Sequence, residues 1–229
     1  MSNEILQKIK SRGYFEIITR PTLFSKERLR LSEMEQRLWA CQVSFRSGAF
    51  PLIQEGPATR GIDYIEHSFS SVGFAFYETW RFYQSGQFVF YRALSEDWSI
   101  EAGLSQQLEK GIALSILPTL YLVSEVFEFS ARLAQQGILA PEGFIQINLI
   151  GTKGRQLVHW GDPFRPLFKV YVCDLEELLR TWTLTGEKII AEGRELSFEH
   201  FLWIMERFGY DANPEAYKPD QEKFFRRQI

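Results

Sequence analysis

The spacing of hydrophobic residues changes along the chain between a helical period of about 3.6 and a strand period of about 2, and this change predicts the order of the elements. Glycine and proline residues separate short segments of both kinds in the first third of the sequence. Ser32 and Glu35 have the spacing of a capping box, in which each side chain bonds the other's free backbone N–H. The predicted elements there are a helix over 3–12, a strand over 14–21, a helix over 33–39 and a strand through 43–45.

From Ile62 to Leu94 the pattern is that of strands, with aromatic residues at alternate positions. The stretch WRFYQSGQFVFYRALSEDW (80–98) has Ser85 and Gly86 between two such runs, which is typical of a two-residue hairpin loop. That loop would place Tyr83 opposite Phe88, and the strand period of two then assigns the two faces. One face, expected to be core, carries Phe76, Trp80, Phe82, Val89 and Tyr91; the other carries Arg81, Tyr83, Phe88, Phe90 and Arg92.

The second half of the chain contains one long helical segment and several strand-like runs. Residues 119–136 are apolar on most sides and end at Gly137, which predicts a helix buried in the interior. Another helical segment begins at Ser197 and ends at Gly209. The other predictions are strands in FIQINLIG, RQLVHW and PLFKVYVC, a hairpin turn at GTKG, a helix from the capping pair Asp174 and Glu177 to about Trp182, and a turn-rich tail with room for a final helix.

This order of elements predicts an α+β protein with an antiparallel or mixed β-sheet, flanking helices and one largely buried central helix. We expect residues 1–229 to form a single compact domain with two sublobes, approximately 1–97 and 118–229. The change of character after Trp98 and the strands on both sides of the central helix favour that division.

Composition indicates an ordinary globular protein that needs no metal or disulfide to hold its core. The chain is 45% apolar and 15% aromatic, and each aromatic ring buries roughly 150–250 Å². Cys41 and Cys173 are far apart and lie in no metal-binding motif, so we expect reduced, buried thiols and no cofactor. No stretch reaches the roughly 18 apolar residues of a membrane span, and the N-terminus does not resemble a signal peptide. These features favour a soluble, cytoplasmic protein with no membrane partner.

The charge of the chain argues against a protein that coats duplex DNA. The formal net charge is −3, whereas phosphate binding normally concentrates Lys and Arg. The distribution is uneven, because residues 1–60 carry ten Lys or Arg and six acids, and residues 95–143 carry two and seven. A local basic face on the N-terminal half, and with it nucleic-acid binding, therefore stays open.

Motifs for common catalytic chemistries are missing from the sequence. There is no G-x-S-x-G elbow and no P-loop, and GTKGR, with Lys153 and Arg155, has the wrong spacing for a phosphate cradle. The histidines also favour local roles, with His159 near Asp162 and His200 facing solvent. We therefore assign no catalytic residues, and the sequence favours a non-enzymatic protein.

The segment IDYIEHSF contains a dense cluster of titratable residues, Asp63, Glu66 and His67. A carboxylate and an imidazole of this kind can bind a metal ion, so a metal-dependent hydrolase or nuclease is one alternative function. A solvated strand edge of mixed charge is the other interpretation of the same residues.

The face with Arg81, Tyr83, Phe88, Phe90 and Arg92 mixes guanidinium groups with aromatic rings. Such a face can bind a protein partner or a second copy of the chain, and these five residues are our candidates for that role. It can also stack single-stranded nucleic-acid bases and bind their phosphates, which is a second alternative function. Internal cation–π contacts are a third interpretation.

Three segments, WRFYQSGQFVFYRALSEDW, INLIGTKGRQLV and FLWIMERFGYDANPEAYKPDQEKFF, resemble an uncharacterised bacterial domain. That domain occurs alone or C-terminal to a Schlafen-type, Alba-like module with predicted DNA-binding and ATP-binding functions. This sequence contains no counterpart of the module, and the family offers no catalytic residues to carry over. The resemblance implies an accessory or regulatory interaction domain, with a defence or stress system as its context.

Overall fold

The computed structural model describes residues 3–45, 48–53, 58–104, 107–160 and 165–228. The helices are α1 (Asn3–Lys10), α2 (Met34–Cys41), α3 (Ile116–Gln135), α4 (Gly186–Arg207) and α5 (Pro214–Phe225), with short 3₁₀ turns at Val72–Phe74 and Ser95–Trp98. The strands are β1 (Tyr14–Pro21), β2 (Thr59–Arg60), β3 (Tyr64–Ser71), β4 (Phe76–Tyr83), β5 (Phe88–Ala93), β6 (Ala113–Ser115), β7 (Glu142–Ile150), β8 (Gln156–Val158) and β9 (Glu177–Thr185).

Seven of these strands form one sheet in the order β2-β3-β4-β5-β1-β7-β9, and every neighbouring pair in it is antiparallel. β6 and β8 form a separate parallel pair. The prediction of an α+β protein with an antiparallel sheet and flanking helices is confirmed. Strands from both predicted sublobes belong to the same sheet, and the division into sublobes stays a prediction.

One face of the sheet packs against helices and forms the main core. The alternation of buried and partly exposed residues along β1 shows this, with Phe15 and Ile17 buried and their neighbours partly exposed. The helix α3 lies in the same core and buries residues on most of its sides, among them Leu120, Val123 and Phe127. The prediction of a largely buried central helix is therefore confirmed.

The opposite face of the sheet is covered by α1 at one end, where Ile9 packs near Tyr77, Ala93 and Trp98 in a second small core. Away from α1, most of the side chains of this face are partly exposed. We call this region the open face; it includes Ile18, Arg20, Tyr64, Glu66, Arg81, Tyr83, Val89, Phe144, Gln146 and Thr181.

The register of the β4–β5 hairpin differs from the prediction by one residue. The N–H of Tyr83 donates to the carbonyl of Gln87 at 2.8 Å, and the N–H of Gly86 donates to the carbonyl of Tyr83 at 2.9 Å. The loop therefore has three residues, and Gly86 takes the left-handed conformation (φ +86°) that such a loop requires. The predicted pairing of Tyr83 with Phe88 is wrong, and a shift of one residue moves every side chain of β5 to the other face.

Several predictions in the second half were also wrong. β7 pairs with β1 and β9 rather than with β8, so GTKG does not close a hairpin between neighbouring strands. Residues 177–185 form strand β9 instead of the predicted helix. The Leu, Trp and Thr side chains that alternate along this segment favour a pleated strand, and this preference outweighs the helix-capping spacing of Asp174 and Glu177. Helix α4 begins at Gly186, where the hydroxyl of Thr185 accepts a hydrogen bond from the N–H of Lys188 at 3.3 Å.

Two predicted strands shrink to single bridges, between Val43 and Phe50 and between Gln156 and Val172. Cys41 and Cys173 are free and buried, as predicted. Within the described ranges, no helix combines the length and the apolar character that crossing a bilayer would require.

Candidate interaction site on the open face

The five residues predicted as a binding face do not share one face of the sheet. Phe88 and Phe90 have no exposed surface and Arg92 is 7% exposed, because the register of β5 turns them toward the helices. Arg81 and Tyr83 lie on the open face, and the β5 residues beside them there are Val89 and Tyr91. Trp80 and Phe82 are core residues as predicted, whereas the assignment of Val89 and Tyr91 to the same face was wrong.

Arg92 belongs to a buried ionic network. Its Nη2 donates to Oε2 of Glu78 at 2.7 Å, its Nε donates to the same oxygen at 3.1 Å, and its Nη1 lies 3.5 Å from Oε2 of Glu125. Burial raises the pKa of Glu78, although the charge of Arg92 acts in the opposite direction. The guanidinium is thus engaged inside the protein, which favours a structural role for Arg92.

Arg81 is held in a different arrangement at the surface. Its Nε and Nη2 donate to Oε2 of Glu66 at 2.8 and 2.5 Å. Its guanidinium carbon lies 4.0 Å from the ring centroid of Tyr64 and 5.9 Å from that of Tyr83. We call Tyr64, Glu66, Arg81 and Tyr83 the arginine platform.

Strand pairing explains why these four side chains meet. In the β3–β4 register, Tyr64 lies opposite Tyr83 and Glu66 lies opposite Arg81, all on one face. Directly opposed residues of antiparallel strands have Cβ atoms about 5 Å apart, so an opposite-charge pair and an aromatic pair can form side by side. The two tyrosine rings lie 5.9 Å apart in an edge-on arrangement, which encloses the arginine between polar and aromatic neighbours.

The platform keeps part of its surface accessible. The Arg81 side chain is 25% exposed and that of Glu66 is 14% exposed. A second cation–π pair lies on the same face, with the guanidinium carbon of Arg20 4.6 Å from the ring centroid of Phe144. Arginine and tyrosine held in this way lose little conformational entropy on binding, so they are well suited to the centre of an interface.

The residues predicted as a metal cluster do not fit such a site. Glu66 and His67 point to opposite faces of β3, and the carboxylate of Glu66 is engaged by Arg81. His67 packs instead against Trp80, with ring centroids 6.0 Å apart, and burial lowers its pKa. In the described part of the chain, no group of three His, Cys, Asp or Glu side chains, that of Asp63 included, is placed to share a metal ion.

The two remaining histidines, His159 and His200, both lie in partly or fully buried surroundings. His200 is fully buried, so the prediction that it faces solvent is wrong. His159 forms a hydrogen bond of 3.1 Å with the hydroxyl of Tyr217. Its predicted partner Asp162 lies outside the described residues.

Sequence reasoning missed Tyr64, and it placed Glu66 in the wrong kind of site. The signal was present, because a strand over 62–71 followed closely by one over 76–83 predicts an antiparallel pair. Pairing these strands in the observed register places Glu66 opposite Arg81.

Comparisons with protein-family models, with curated proteins and with solved structures give no match for this chain. The resemblance to the domain associated with Schlafen-type modules stays a prediction from the motifs quoted above. What the arginine platform does has to follow from its own geometry and chemistry.

Proposed function

We propose that this chain is a non-enzymatic interaction domain and that a partner protein binds its open face at the arginine platform. The observation that carries the proposal is the stacking of Arg81 beside Tyr64, with its charge paired to Glu66, on a partly exposed sheet face. Tyrosine and arginine are among the residues that contribute most to protein–protein affinity.

The charges of the open face favour a protein over a nucleic acid. A phosphate would have to compete with Glu66 for Arg81, because two N–H groups of that guanidinium already donate to the carboxylate. Glu16 and Glu142 on the strands β1 and β7 add further negative charge to the face. A partner protein can meet such mixed charge with groups of both signs, whereas a nucleic-acid backbone cannot.

The alternative hypothesis, binding of a single-stranded nucleic acid, involves the same aromatic rings and guanidinium groups. One set of variants therefore tests both the protein-binding and the nucleic-acid-binding hypothesis. The resemblance to a Schlafen-associated domain supports a regulatory role in a defence or stress system, as part of the same proposal.

The test is capture of partners on the immobilised protein from a lysate of the source organism, with and without nuclease. Arg81→Ala and Tyr83→Ala are the test variants, and Arg226→Ala is the control, since Arg226 is an exposed arginine directly after α5 with its own ion-pair partner, Glu222. We expect one protein to be retained by the wild type and the control and its apparent affinity to fall by about 30-fold or more in each test variant, which corresponds to a hot-spot loss of about 2 kcal/mol.

Equal retention by all four proteins would overturn the proposal. Retention that disappears with nuclease, together with salt-sensitive binding of a labelled single-stranded oligonucleotide, would replace it with the nucleic-acid hypothesis.

A further inference from the structure

The strand β9 lies at one edge of the sheet, and its outer side is free over the described residues. It pairs along all nine of its residues, Glu177–Thr185, with β7. Within the described ranges, no backbone hydrogen bond joins residues 178–184 to anything outside that pair. A nine-residue strand spans about 30 Å at roughly 3.4 Å per residue, so a long row of backbone donors and acceptors faces outward.

The two edges of the sheet differ in a way that points to a role for β9. The other edge, β2, has only two residues, Thr59 and Arg60, and short edge strands are a common protection against unwanted pairing. β9 has an unbroken register and contains neither proline nor lysine. The exposed positions of β9 include Leu179 (48% exposed), Thr181 and Thr183. None of these three side chains is charged: the leucine is apolar, and threonine is a residue that favours strands.

We propose that a second copy of this chain pairs with β9 in the antiparallel direction, with the twofold axis at Thr181. This interface lies at the sheet edge and is separate from the partner site on the open face. The two seven-stranded sheets would join into one continuous sheet, and the strand would then have a hydrogen-bonded neighbour on both sides.

The side chains of β9 suit pairing with a second copy of the same strand that runs in the opposite direction. About Thr181, an antiparallel copy places Arg180 opposite Trp182, Leu178 opposite Leu184 and Leu179 opposite Thr183. The arginine already lies 5.1 Å from the ring centroid of Trp182 in its own chain, so a guanidinium over indole is a contact that this surface supports.

The symmetry of the shared edge selects the antiparallel direction. Two copies that paired through this same edge in the parallel direction would have inverted faces, so the helix-covered face of one sheet would adjoin the open face of the other, whereas an antiparallel copy about a twofold axis perpendicular to the sheet keeps like faces on the same side. The antiparallel copy places Glu177 opposite Thr185, so no like charges face each other. Antiparallel pairing also continues the pattern of the whole sheet.

A disulfide at the twofold axis tests both the partner and the register. Opposed residues in an antiparallel pair have Cα atoms about 4.5–5.5 Å apart, which lies within the range of about 4.4–6.8 Å that a disulfide spans. Thr181→Cys should therefore cross-link two copies under mild oxidation. Thr183→Cys is the matched control, because the two copies of residue 183 would lie roughly 14 Å apart along the strands. The native Cys41 and Cys173 are buried and free, so they do not compete.

Sedimentation velocity over a range of protein concentrations gives the second measurement. We expect reversible dimers of the wild type, and an increase of at least tenfold in the dissociation constant for Thr181→Lys, which opposes two like charges at the axis. Circular dichroism and thermal unfolding verify that each variant folds. A wild type that stays monomeric, or equal cross-linking of Thr181→Cys and Thr183→Cys, would overturn the proposal, whatever the open face binds.

Discussion

The guanidinium of Arg155 and the carboxylate of Asp97 form a buried, bidentate ion pair, with Nη1–Oδ1 and Nη2–Oδ2 distances of 2.8 and 2.5 Å. Arg155 is 2% exposed and the Asp97 side chain is fully buried. The same carboxylate accepts the N–H of Gly13 at 2.9 Å and that of Gly111 at 2.7 Å. One carboxylate therefore fixes the entry to β1, the segment before β6 and the turn after β7.

Because of this relationship, we expect Asp97→Asn to destabilise the protein by about 3–5 kcal/mol. The substitution keeps the size of the side chain but leaves the charge of Arg155 buried without its partner, which is costly. Urea unfolding followed by tryptophan fluorescence measures the change.

Glu101→Gln is the control for Asp97→Asn, since Glu101 pairs with Arg12 at the surface and its side chain is 44% exposed. An exposed ion pair contributes at most about 1 kcal/mol. Similar losses for the two variants would show that the buried pair has no special importance.

We expect the stability of the protein to fall with acid partly through His200. Burial, and secondarily the charge of Arg180, lowers the pKa of His200 to about 3, compared with about 6.5 for an unfolded histidine. Between these values the unfolded state binds a proton that the folded state does not, so the free energy of unfolding decreases as pH falls from about 6.5 toward 3. Between pH 7 and pH 5 the loss from this residue is about 2 kcal/mol.

His200→Leu tests that expectation. The imidazole packs against Trp182 and Trp203, with ring centroids 4.8 and 5.4 Å away, and neither of its nitrogens has a hydrogen-bond partner among the residues that the structure describes. An apolar side chain of similar size suits this site. Urea unfolding at pH 7 and pH 5 should show a smaller decrease in the variant than in the wild type, by about 2 kcal/mol; equal decreases would contradict the prediction.

We expect Cys41 to resist alkylation in the folded protein. Burial raises the pKa of its thiol to about 12, although Arg132 and Arg37 act in the opposite direction. The thiolate is the nucleophile, so at pH 8 almost none of the reactive form exists and the reagent has no access. Iodoacetamide labelling followed by peptide mass spectrometry should modify Cys41 only after denaturation. Rapid labelling of the native protein would show that this part of the core opens easily.

The sequence was enough to predict the fold class and the buried helix α3, because both follow from hydrophobic periodicity over long segments. The hairpin shows the limit of that approach. Whether the loop has two residues or three depends on the backbone of Gly86, and that one residue decides whether Phe88 and Arg92 face solvent or core.

Long-range pairing was the other limit. From the sequence, Arg155 was placed only in a turn. Its ion-pair partner, Asp97, lies in a 3₁₀ turn distant in the sequence, and no local pattern connects the two residues. The strand β9 was missed because the spacing of Asp174 and Glu177 was interpreted as a helix cap. The backbone hydrogen bonds that make this segment a strand come from β7, which is distant in the sequence. Of the candidate site, Arg81 and Tyr83 were identified, and Tyr64 needed the β3–β4 register.

The position of β1 has a consequence for how the chain acquires its structure. β3, β4 and β5 can pair through short connections soon after they are synthesised, whereas β1 lies between β5 and β7 and gains its second neighbour only when residues 142–150 exist. Contacts of such large sequence separation form slowly, because a long loop must close first. On the ribosome, the earliest strand of the sheet would therefore remain an edge strand, with β5 on one side, until residues 142–150 have emerged.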